Sequence, residues 1–131
     1  MIQNRITPEC ITALAENEIF VFGSNLVGHH AGGAAIIARK KFGAINGQGV
    51  GLQGRSYAIP TMQGGVETIR PYVEDFIRFA KDHKEHVFLV TRIGCGIAGF
   101  TDAEIAPLFK DALSEDNVAL PQSFIDVLLT I

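Results

Sequence analysis

Gly23-Ser24-Asn25-Leu26-Val27-Gly28-His29-His30-Ala31-Gly32-Gly33 follows the short apolar run Phe20-Val21-Phe22. The asparagine carboxamide offers both a donor and an acceptor, which suits a ribose or an amide. A helix opening at Gly32-Gly33 presents unpaired N–H groups and a positive dipole end, the natural partner of a phosphate. A second segment, Gly94-Cys95-Gly96-Ile97-Ala98-Gly99-Phe100, follows Val87-Phe88-Leu89-Val90 through Thr91-Arg92-Ile93, and its closely spaced glycines can wrap a pyrophosphate in a backbone nest. All fourteen glycines fall between Gly23 and Gly99. Glycine is needed where backbone must approach something closely. Two such loops after buried strands predict two walls of one nucleotide-like site.

Each of these residues also has a purely structural use. Asn25 can close an Asx turn while the glycines allow a tight bend. The first loop lacks the G-x-G-x-x-G dinucleotide fingerprint, and no Gly-Lys-Ser/Thr phosphate loop occurs. Cys95 sits where N–H dipoles can activate a thiol as a nucleophile, but no histidine is adjacent in sequence, and packing is the default for a small buried cysteine. His29-His30 point in different directions in any regular backbone, and no third ligand stands at useful spacing, so no metal is expected. His83 and His86 flank a helix end and are read as solvated. The carboxylates concentrate on helix faces and form no acid–base pair.

The elements that must hold these loops read as follows. Thr7-Pro8-Glu9 has the form of a helix opening, with a cap, a proline and an acid in the first turn, and predicts a helix to about Ala15. Ile19 to Phe22 is a strand buried on both faces. Gly33 to Phe42 reads as a helix packed closely on a sheet and stopped by Gly43. Gly47 to Gly54 is dense in glycine and is expected to be loop, placed to cover the two ligand loops. Ser56 to Thr61 is a strand stopped by Pro60. Pro71 to His83 carries Tyr72, Val73, Phe76, Ile77, Phe79 and Ala80 on one face and is the clearest helix. Val87 to Val90 is the strongest strand. Thr101-Asp102-Ala103-Glu104 has capping-box spacing, and the helix it starts, running to about Leu113, should kink or break at Pro107. Val118 to Ile131 fits either a strand or a short helix. Strands alternating with helices predict an α/β domain with helices covering a mixed sheet.

The whole chain bounds what such a site can serve. Its 131 residues make one domain, spanning residues 1–131, and 47% hydrophobic content with positive mean hydropathy excludes disorder. A net charge of −3, with Arg39-Lys40-Lys41 as the only basic cluster, gives no footprint for nucleic acid. Cys10 and Cys95 lie far apart, which fits a reduced chain without a disulfide framework. No apolar run reaches membrane-spanning length and no signal sequence is visible, so the chain reads as cytoplasmic with no membrane partner.

Taken in order, the loops resemble those of the macro domain superfamily, the ADP-ribose-binding α/β modules. The likeness rests on Val21-Phe22-Gly23-Ser24-Asn25-Leu26 with Gly32-Gly33-Ala34-Ala35, then Tyr57-Ala58-Ile59-Pro60-Thr61, then Ile93 to Phe100. It covers roughly residues 19 to 110, in order and texture more than identity. The chain is also similar to small bacterial and phage proteins with a Phe-Gly-Ser-Asn-Leu start. The resemblance implies a three-layer macro-like domain, a mixed sheet flanked by helices, that binds ADP-ribose or a related nucleotide diphosphate sugar and needs no cofactor. It implies ligand contacts from Gly23, Ser24, Asn25, Gly32, Gly33 and Gly94 to Phe100. Asn25 would orient water or substrate if an ADP-ribosyl bond is hydrolysed. Two features depart from the family. No Gly-Asp-Ile segment, which reads adenine in the family, precedes Asn25. Ala34 and Ala35 stand where hydrolytic members carry a carboxylate. Binding is therefore expected ahead of hydrolysis. The rivals are a hydrolase or transferase using Cys95, and a non-catalytic interaction protein whose two glycine loops lie apart.

Overall fold

The structure, a computed structural model, describes residues 5–130. Strand β1 (Glu18–Ser24) occupies the middle of a five-stranded mixed sheet. Parallel to it run β3 (Ser56–Pro60) on one side, with Ser24 opposite Pro60, and β4 (Val87–Val90) on the other, with Val21 opposite Val90. The short β2 (Gly51–Gln53) closes one edge antiparallel to β3, and β5 (Val118–Ala119) closes the other parallel to β4. Helices α1 (Gly33–Lys41), α2 (Val66–Lys81), α3 (Asp102–Ile105) and α4 (Gln122–Leu128) intervene, and a 3-10 helix (Ala106–Ser114) continues α3.

Alternation along β1 divides the core, because successive side chains of a strand point to opposite faces. Phe20 and Phe22 pack with Ala35, Ala38 and Phe42 of the α1 segment. Ile19 and Val21 pack with Val73, Phe76 and Ile77 of α2, Phe109 of the 3-10 helix and Phe124 of α4. Phe22, Phe76, Phe88, Phe109 and Phe124 are fully buried. Each contributes about 1.5–3 kcal/mol relative to exposure. Against this the exposed Glu67–Arg70 and Asp75–Arg78 pairs on α2 are minor.

Helix α2 begins at Val66, before the expected Pro71, because Ile69 extends the buried stripe of Val73, Phe76, Ile77 and Ala80 by one turn. Pro71 lies inside on the exposed side, where water can serve the carbonyl its missing N–H leaves free. The Thr101 capping box forms as expected: Thr101 Oγ1 accepts from the Glu104 N–H at 3.2 Å and Glu104 Oε1 accepts from the Thr101 N–H at 2.9 Å. At Pro107 the α-helix has already tightened into the 3-10 helix. The tail holds both candidate elements, β5 and then α4.

Three expectations are corrected. No helix forms between Thr7 and Ala15. The Thr7 N–H donates to the Leu120 carbonyl at 2.9 Å and Ile6 bridges Leu120, so pairing beside β5 overrides the local capping pattern. Gly47 to Gly54 is not all loop, since β2 lies within it and pairs Leu52 with Tyr57. His83 and His86 are half-buried: His83 stacks on Phe79 with ring centroids 3.9 Å apart and its Nδ1 lies 2.7 Å from the Phe79 carbonyl. No helix among the described residues is long and apolar enough to cross a membrane.

Candidate functional site

Three parallel strands end side by side, and a threonine after each outer strand ties its loop to β1. Thr61 donates to the Ser24 carbonyl through its N–H at 2.8 Å and its hydroxyl at 3.4 Å. Thr91 donates to the Val21 carbonyl through its N–H at 3.1 Å and its hydroxyl at 2.7 Å. The loop after β1 leads to α1 on the Phe20–Phe22 face, whereas the loop after β4 leads to Ile105 and Phe109 on the opposite face. A crevice opens between loops that diverge in this way at the carboxyl ends of neighbouring strands. Here it is a cleft of about 170 Å³ lined from both loops. A Cβ placed on Gly23 would stand 3.4 Å from the Gly94 nitrogen, and one on Gly32 would meet Ile97 Cδ1 at 2.8 Å. The two glycine loops lie together.

The first loop is braced from within and behind. Asn25 Oδ1 accepts from the His29 N–H at 3.0 Å and Asn25 Nδ2 donates to the His29 carbonyl at 3.1 Å. Its carboxamide thus holds the turn, the structural use open to it from sequence. His30 is buried, with Nε2 2.9 Å from the Gln48 carbonyl and 3.2 Å from Gln53 Oε1. The Ser24 hydroxyl donates to the Gly49 carbonyl and the Gly47 N–H to the Gly28 carbonyl. A side chain on Gly49 would lie 2.1 Å from the Asn25 carbonyl oxygen. The Gly47 to Gly54 segment therefore buttresses the first loop and does not cover the cleft: none of its residues lines it.

Gly23, Ser24, Asn25, Gly32, Gly33, Gly94, Gly96, Ile97 and Ala98 all line the cleft. Gly32 caps α1 without a side-chain bond, and the first turn holds no acid. Within that turn the Ala35 N–H donates to the Gly32 carbonyl at 3.2 Å, and no side chain caps the N–H groups of Gly33 and Ala34. Cys95, Gly99 and Phe100 lie off the lining. Phe100 packs against Gly94 and the core, and its N–H donates to the Gly94 carbonyl at 2.8 Å. Cys95 packs on the same core with Sγ 3.6 Å from Asp102 Oδ1. Burial first, then the negative charge of Asp102, pushes its thiol from the ordinary 9.0 up to about 11.

Sequence reasoning weighed His29 only as a metal ligand and did not assign Thr61, Met62, Thr91 or Arg92 to the site; all five also line the cleft. The available signal was position, since Thr61-Met62 and Thr91-Arg92 directly follow β3 and β4. Arg92 forms a two-point pair with Asp102, Nε to Oδ1 at 3.0 Å and Nη2 to Oδ2 at 2.9 Å. This holds the Asp102 carboxyl below its ordinary range. Gly94, Gly96 and Gly99 do have G-x-G-x-x-G spacing. The α3 N-terminus that follows is occupied by its own cap and the acids Asp102 and Glu104, so it does not serve as a dinucleotide fingerprint.

A larger cavity of about 840 Å³, lined mainly by apolar side chains of the Ile6 to Ile11 segment, Phe20 and Ile37, adjoins the cleft. Ala34, Thr91 and Arg92 line both. Among the described residues no three His, Cys, Asp or Glu side chains gather in a metal-holding group. No protein-family model, curated protein or solved structure matches the chain.

Proposed function

We propose that the chain is a three-layer macro-like module of the cytoplasm that binds ADP-ribose or a related nucleotide diphosphate sugar. The observation that carries this reading is the meeting of the two glycine loops in one cleft with the N-terminus of α1, which no side chain caps, and with no carboxylate among the described residues of its lining. Gly32 and Gly33 would receive one phosphate, and Gly94, Gly96, Ile97 and Ala98 the other. At about 170 Å³ the cleft is smaller than sites for whole drug-sized ligands, roughly 300–1,000 Å³. It suits the anionic part of a ligand whose remainder extends into the adjoining cavity. Binding without turnover is favoured because the described residues of the lining offer no carboxylate to activate water and Asn25 is committed to His29. The raised Cys95 thiol, aimed at Asp102, counts against a cysteine nucleophile.

Calorimetric titration with ADP-ribose should give saturable heat. A ligand at 100-fold its Kd stabilises by about 2.7 kcal/mol, so melting should move up by several degrees. Absence of both effects at millimolar ligand overturns the proposal.

A further inference from the structure

Among the described residues Arg92 is the one lysine or arginine lining either the cleft or the larger cavity, and it lines both. An arginine carries five N–H donors in a planar fork. Asp102 engages two of them along one edge, at 3.0 and 2.9 Å, which leaves three for another partner. The carboxylate is itself held in place. Asp102 Oδ1 accepts from the Ser123 hydroxyl at 3.1 Å and faces Cys95 Sγ at 3.6 Å, and its backbone opens α3 directly after the Thr101 cap. A side chain that is otherwise half exposed is thereby oriented before any ligand arrives, and less freedom is lost when it binds.

We infer that Arg92 is the specificity-determining residue for the anion of the ligand. The inference rests on the reading that an anion occupies the cleft. The unused N–H groups of Arg92 donate to a phosphate oxygen at the junction of cleft and cavity. A ligand whose charge stretches from the glycine loops to that junction, as a diphosphate does, is selected over a single phosphate seated among the loop N–H groups alone. Asp102 and Ser123 act through Arg92 as positioning residues.

The test is titration of wild type, Arg92→Gln and Arg92→Lys with inorganic pyrophosphate, orthophosphate and ADP-ribose. Calorimetry gives affinity, and the Arg92 side-chain N–H resonances give a reading on unmodified protein. Arg92→Gln should weaken pyrophosphate and ADP-ribose tenfold or more and orthophosphate less than threefold, with part of the loss restored in Arg92→Lys. In wild type, pyrophosphate should shift the Arg92 N–H signals. Unchanged pyrophosphate affinity in Arg92→Gln overturns the inference, as do equal losses for both inorganic anions or unmoved N–H signals. If wild type binds pyrophosphate but not ADP-ribose, the nucleotide reading falls while the role of Arg92 is still decided by these comparisons. If ADP-ribose binds wild type and Arg92→Gln equally, the reading survives and the inference falls. Binding of neither overturns both.

Discussion

Truncating Asn25 to alanine removes both hydrogen bonds that pin His29. Both are at the surface, so the expected cost is about 1 kcal/mol. The larger effect is on the loop, and ADP-ribose affinity should fall several-fold in a calorimetric titration. Full affinity in Asn25→Ala would remove its role in the site. Cys95 carries a different expectation, with Cys10 as its exposed internal reference. Because the Cys95 thiol is pushed up to about 11, iodoacetamide should label it much more slowly than Cys10 at neutral pH, as followed by mass spectrometry. Equal rates would restore the thiol nucleophile. The sign for stability follows from linkage. The folded state holds the Cys95 proton more tightly than an unfolded chain does, so its contribution is complete below pH 9.0 and is lost as pH rises through about 11. Tyr57, raised by burial and by Asp75 from 10.0 to about 12, adds to the same alkaline decline. Melting temperature should therefore fall across this window.

At the scale of elements, Gly49 and Gly96 separate two reasons for a glycine. A methyl group at Gly49 collides with the Asn25 carbonyl oxygen, and backbone cannot step aside as a flexible side chain can. Gly49→Ala should lower stability in urea denaturation by about 1–3 kcal/mol. At Gly96 nothing lies within 4 Å of such a methyl group, and the residue is not among the positive-φ glycines. Gly96→Ala should leave melting unchanged while weakening ADP-ribose, because Gly96 lines the cleft and its methyl would meet no protein atom. A loss of stability without loss of affinity would place Gly96 outside the site. This distinction was invisible in sequence, where both read as loop glycines. Signals confined to one element were legible: the Thr101 box, the apolar runs of β1, β3 and β4, and the face of α2. Elements made by distant partners were not. Thr7 finds Leu120 across the chain, and Gly51 to Gln53 becomes a strand only because β3 lies alongside. Arg92 was missed for the same reason, since its importance comes from standing where two cavities meet.

At the scale of the molecule, the α/β class followed from alternating elements, but the strand order did not, and that order creates the cleft. Placing β1 between β3 and β4 brings both glycine loops to one end of the sheet. The same order leaves β2, with three residues, and β5, with two, at the margins. Part of the β5 margin is already engaged, through Leu120 with Ile6 and Thr7. Unpaired strand margins are templates on which other chains can add, and very short ones offer too little ladder to hold a newcomer. The long, apolar, parallel strands most prone to self-association are thus shut inside the sheet. Concentrated protein at neutral pH should stay free of thioflavin-binding fibres, and fibres should grow only under conditions that first detach β2 or the Ile6–Leu120 bridge.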